Sequence, residues 1–226
     1  MRKLALCLLA LALCGLPAMA QTTFFSDLGT GNNVYNCCDG WTLAGSGTIG
    51  TYVYDANEFI AGATGNVSQI DIGLGYVTGT NSFFAALYTS NDNLPGTLLE
   101  QWNNLSVTEP AGGCCDLLSI TGISGLSLTS GQSYFLVLGP ETTGSTGWAA
   151  WNLNTTNQSG LLLQASSGCP DGGANGCNWN SFNDSTLGAF DVLGSTGQTV
   201  PEPSSLLLLG TGLVGAFGTI RRKLTK

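Results

Sequence analysis

Between residues 21 and 200 the chain has no lysine, arginine or histidine. All six basic residues lie at the ends, Arg2 and Lys3 at one and Arg221, Arg222, Lys223 and Lys226 at the other. Of the 14 acidic residues only Glu202 falls outside the span, so the middle of the chain carries 13 acids and no base. No salt bridge can form within it. Nucleic acid is excluded as a partner, since neither counterion-releasing cations nor guanidinium forks are present. The same absence removes histidine-based triads, lysine Schiff-base chemistry, the lysine-bearing phosphate loop and histidine metal sites. Carboxylates, thiols, hydroxyls and aromatics remain, and no cofactor, metal site or catalytic residue is expected.

The cationic ends read as addresses. Met1-Arg2-Lys3, an apolar run over residues 4–16 and the small residues Ala18 and Ala20 form a secretory signal peptide over residues 1–20. The run is too short for the roughly 20 apolar residues a transmembrane helix needs. Leu11-Ala12-Leu13-Cys14 approaches a lipoprotein box, but Leu13 stands where a small residue is required. At the other end Pro201-Glu202-Pro203 precedes an apolar run over residues 206–220 and then Arg221-Arg222-Lys223. A helix over that run is about 22 Å long at 1.5 Å per residue. It spans a bilayer marginally, with its basic end held in the cytoplasm and the body outside.

In order and spacing these residues resemble the PEP-CTERM sorting signal of Gram-negative bacteria, with Pro201, Glu202 and Pro203 as its motif and Arg221 and Arg222 in its basic end. The resemblance implies an exosortase-type sorting enzyme as partner and a transient tether to the inner membrane. Removal of the tail and delivery to the cell surface or exopolysaccharide matrix follow from it. The expected organisation is a signal peptide (1–20), an extracellular domain (21–193), a linker with the Pro-Glu-Pro motif (194–203) and a sorting tail (204–226).

In the body, period-two alternation marks half-buried strands over residues 48–54, 69–77, 83–89, 98–104, 116–120, 133–139, 148–153, 161–165 and 189–193. Turn clusters such as residues 90–96 and 129–132 separate them, and the 33 glycines suit many tight turns. The pattern predicts an all-β domain, an antiparallel β-sandwich or jelly roll. Residues 86–99, ALYTSNDNLPGTLL, and residues 128–137, LTSGQSYFLV, resemble the choice-of-anchor R type of bacterial surface domain. That resemblance implies a β-rich extracellular module and carries no catalytic residues.

Six cysteines remain after signal removal: Cys37, Cys38, Cys114, Cys115, Cys169 and Cys177. An even number in an exported chain predicts disulfides. Cys169 and Cys177 are the simplest local pair. The other four form two Cys-Cys-Asp motifs, which bridges between motifs would staple together, with vicinal pairing as the alternative. They lack the C-x2–4-C spacing of a zinc site. Full bridging, with no free thiol, is expected.

The five tryptophans are Trp41, Trp102, Trp148, Trp151 and Trp179. Most are expected in the core, and Trp148 and Trp151 have opposite parity, so at most one of that pair belongs there. Those flanked by asparagine suggest sugar stacking, with Trp151, Asn152 and Asn154 as one candidate group and Asn178, Trp179 and Asn180 as the other. The functional expectation is a structural or interaction protein, not an enzyme. A carbohydrate-binding module for secreted polysaccharide is second, and a glycoside hydrolase built from paired carboxylates third.

Overall fold

Residues 54–57, 83–88 and 134–140 are buried on both faces of their strands, while residues 190–195 bury one face only. The computed structural model describes residues 21–196. The signal peptide, the sorting tail and the Pro-Glu-Pro motif lie outside the described residues. The chain runs β1 (Thr22–Ser26), β2 (Tyr35–Ala44), the four-residue α1 (Ser46–Ile49), β3 (Tyr54–Ile60), β4 (Gly65–Ile72), β5 (Leu74–Thr78), β6 (Phe83–Asn91) and β7 (Leu94–Leu105). It continues through β8 (Leu118–Thr121), β9 (Ser127–Leu128), β10 (Ser133–Pro140), β11 (Trp148–Asn154), β12 (Ser159–Ala165), β13 (Trp179–Thr186) and β14 (Phe190–Ser195). No described helix is long and apolar enough to cross a membrane.

The expected antiparallel all-β architecture is present. One sheet has six strands in the order β13-β12-β3-β10-β6-β7. Facing it are β1-β14-β4-β8, with β9 beside β4, and the small sheet β2-β11-β5. These last two sheets meet at a seam where Gly73 N–H donates to Ala189 O (2.9 Å), Asn152 N–H to Gly73 O (2.9 Å) and Ala189 N–H to Asn152 O (2.7 Å). The inner core draws on all three sheets: Phe59, Leu87 and Leu136 from the first, Ile70, Ile72 and Phe190 from the second, Leu43 and Trp151 from the third. Burial at roughly 25 cal/mol per Å² of apolar surface holds the layers together.

The outer face of the six-stranded sheet is also apolar, with Tyr54, Phe84, Tyr88, Phe135 and Val137. This is why residues 83–88 and 134–138 read as nearly continuous apolar runs. The Cys169–Cys177 loop covers this face, pinned by three tyrosines. Tyr54 Oη donates to Pro170 O (3.0 Å), while Tyr52 Oη accepts Cys169 N–H (3.0 Å) and Tyr88 Oη accepts Ala174 N–H (3.1 Å).

The predicted strand over residues 48–54 is instead α1, closed by Gly50 at φ 82°, with β3 starting at Tyr54. The predicted strand 69–77 is cut at Gly73, which sends β4 and β5 into different sheets. A Cβ at Gly73 would lie 2.9 Å from the Tyr35 ring. The 90–96 turn tightens to Asp92 (φ 51°) and Asn93 (φ 61°), a two-residue hairpin that both asparagine and aspartate tolerate. Strands β1, β2 and β13 carry no apolar alternation, and β14 continues through Ser195. The edges of the six-stranded sheet are irregular. The β6–β7 ladder shifts register three times, the β12–β13 ladder once, and Asn104 in β7 and Asp184 in β13 both have φ 56°.

Candidate functional site

Strand β2 pairs with β11 so that Tyr35 stands opposite Asn154. Where the two strands end, a cleft of about 410 Å³ opens, walled by Asn32, Asn33, Tyr35, Asn36, Cys37, Cys114, Asn154 and Thr155. Asn154 shapes this wall: its Nδ2 donates to Gln158 O (2.8 Å) and Leu187 O (2.9 Å), and its Oδ1 accepts Gln158 N–H (3.0 Å). Thr155 Oγ1 ties the turn to Asn33 O at 2.6 Å. The Tyr35 hydroxyl donates to Asp116 O at 3.0 Å, and its pKa is pushed up to about 12 by burial, with Glu109 and Asp116 adding. The cleft therefore offers amides, carbonyls and a phenol, with no ionised side chain in its wall.

The sequence-predicted residues divide. Trp151 is fully buried. Its Nε1 donates to Ala189 O at 3.1 Å, and its ring lies against Gly188, where a Cβ would meet it at 2.5 Å. Stacking a sugar needs an exposed indole face, so Trp151 and the buried Asn152 leave the glycan candidates as a correction to the sequence expectation. Trp148, on the opposite face of β11, is half-buried. Asn154 reaches the cleft as a scaffold residue. Trp179 is half-buried at an edge strand, between exposed Asn178 and Asn180. The structure does not bring this group to the cleft lining.

An aromatic pair that the asparagine criterion missed is Trp41 and Phe182, with ring centroids 6.0 Å apart. Phe182 is 39% exposed and Trp41 Nε1 donates to Thr186 O (2.9 Å). They come from β2 and β13, far apart in sequence, and no local pattern joins them.

Among the cysteines, Cys169 and Cys177 are bonded as expected. Cys114 and Cys115 are bonded to each other, so the bridge between motifs is not made in this structure. Cys37 and Cys38 are thiols with sulfurs 3.6 Å apart, so this structure holds two disulfides and one pair of thiols among the six cysteines.

Three carboxyls are pushed far up by burial with no cation to oppose it. Asp55, fully buried and accepting a hydrogen bond from Gln164 Nε2 at 3.0 Å, rises to about 8. Asp27, also buried, rises to about 7, although Phe190 N–H donates to its Oδ1 at 2.7 Å. Asp191 rises to about 7 by burial and by Asp71, directly across the β14–β4 ladder. One carboxyl oxygen of each of Asp27, Asp55, Asp71 and Asp191 has no hydrogen-bond partner.

Residues 199–223 match the PEP-CTERM protein-sorting motif. The tail carries this motif. A PEP-CTERM protein is exported, held transiently at a membrane and processed by an exosortase-type enzyme. The match covers the tail alone. No curated protein matches the chain. Among solved structures, a VP2 protein of infectious bursal disease virus is 12% identical over 80% of this chain and 32% of its own, with a TM-score of 0.24. A structure of the Gt strain of that virus is 10% identical over 87% and 49%, at 0.25. The chain spans a third to a half of these structures' length, and similarity at this level carries no argument about the body.

Proposed function

We propose that the body is a structural and interaction module displayed at the cell surface or in the exopolysaccharide matrix of a Gram-negative bacterium, and that it is not an enzyme. The sorting tail supports the destination. The likeness of residues 86–99 and 128–137 to choice-of-anchor R domains supports a display module.

Binding of a neutral glycan is the second reading, and the cleft where β2 and β11 end favours it. Asn32 and Asn33 are exposed and Asn36 is half-buried. Amide donors and acceptors match hydroxyls without requiring charge, while the acidic body repels polyanions. Affinity electrophoresis of the exported protein through neutral polysaccharides tests this. Retention lost in Asn32→Ala/Asn36→Ala, with the melting temperature unchanged, supports binding at the cleft. No retention on any neutral glycan leaves the display role alone. Turnover of a polysaccharide by the purified protein would overturn the non-catalytic reading.

A further inference from the structure

The two Cys-Cys-Asp motifs lie far apart in sequence, but the fold sets them side by side. The first is at the start of β2; the second is in the loop between β7 and β8. The Cys114 sulfur lies 3.7 Å from the carbonyl of Tyr35 and the Cys115 sulfur 3.8 Å from that of Asn32. The Tyr35–Asp116 hydrogen bond fastens the same two segments. Cys37 and Cys114 line one cleft. Cys37, half-buried, belongs to a pair of thiols with the exposed Cys38, and Cys114 to the disulfide with Cys115.

We propose that this corner is a thiol–disulfide exchange site that converts the Cys114–Cys115 bond into a bridge between Cys37 and Cys114. The Cys37 thiolate attacks the sulfur of Cys114, the new bond forms as the old one breaks, and Cys115 leaves as a thiolate that takes the proton Cys37 gave up. Two thiols and one disulfide stand on each side, so this step needs no oxidant. A disulfide-bearing oxidase or small disulfide of the exported compartment then accepts two electrons and two protons from Cys38 and Cys115. It leaves as a dithiol and closes a second bridge.

The direction follows from the fold. Closing the long loop from β2 to the β7–β8 loop costs chain entropy in an unfolded chain, but the native structure has already brought the two segments together, and the bridge once formed restrains the unfolded state far more than a bond between neighbours does. The product ties both walls of the cleft together. Attack requires a thiolate, so exchange is slow in mild acid and accelerates in base.

The test is disulfide mapping of protein recovered from the cell exterior, alkylated under acid quench and cut without reduction. Trypsin has no site between residues 21 and 200, so cleavage at Asp and Glu is used; Asp55, Asp71, Asp92 and Glu100 separate the motifs. The expected result is a peptide containing Cys37 and Cys38 joined covalently to one containing Cys114 and Cys115. Separate peptides, each alkylated or bridged only within itself, overturn the proposal. The Cys38→Ser/Cys115→Ser variant leaves one thiol per motif. In it a single Cys37–Cys114 bridge is expected, formed as the same disulfide-bearing oxidant takes two electrons and two protons from the pair, and two alkylatable thiols in folded, exported material would overturn the Cys37–Cys114 bridge.

Discussion

Asp55, Asp27 and Asp191 sit in a body that contains no basic side chain, and their protonation takes the place of the missing ion pairs. Each has a folded-state pKa above the unfolded value near 3.8. The folded protein therefore binds more protons than the unfolded chain between about pH 4 and pH 8. Their contribution to stability is complete below the unfolded pKa and is lost as pH rises through about 7 to 8. Thermal melts should give a midpoint on the order of 5 °C or more higher at pH 5 than at pH 8.5. Asp55→Asn, which keeps an acceptor for Gln164, should raise the midpoint clearly more at pH 8.5 than at pH 5; equal shifts at both would refute the linkage. Trp151→Ala should cost roughly 3–5 kcal/mol in urea titration, whereas Trp179→Ala at the half-buried edge should cost much less. Sequence could state that no acid here would meet a cation, but not which acids are buried. It separated Trp148 from Trp151 by parity, yet the flanking asparagines suggested accessibility for the tryptophan that proved to be core.

At the scale of elements, period-two alternation located strands wherever a strand contrasts an apolar face with a polar one, as in β11 and β14. It failed at β2 and β13, whose residues YNCCDGWTLA and WNSFNDST lie at sheet edges and gain their place from backbone pairing and from Trp41 and Phe182. It also could not see the cut at Gly73, because both halves of that run are genuine strands and the apolar alternation of Ile70, Ile72, Leu74 and Tyr76 runs through it unbroken. The 169–177 loop was legible as a cysteine pair but not as a lid over a second apolar face. Cys169→Ser/Cys177→Ser should cost roughly 2.5 kcal/mol by loop entropy. It should also speed amide exchange at Cys169 and Ala174, which the hydroxyls of Tyr52 and Tyr88 now accept. If the variant exchanges as slowly as the native protein there, the tyrosines alone hold the loop.

At the scale of the molecule, the core of the described residues, 21–196, is built as two apolar clusters from their own strands. Deleting residues 197–226 should leave β-sheet circular dichroism and melting temperature unchanged and release the protein into the medium. Unfolding of the truncated protein would mean that the apolar tail belongs to the core. Sorting was the most legible property because it is written as a linear signal, whereas the cleft is assembled from residues between 32 and 155 and has no linear trace. The irregular outer strands of the six-stranded sheet bear on self-association. An exposed, straight strand edge is a template for pairing with another chain. Here left-handed residues, Asn104 in β7 and Asp184 in β13, interrupt both edges, so growth of one sheet into the next is opposed at either side.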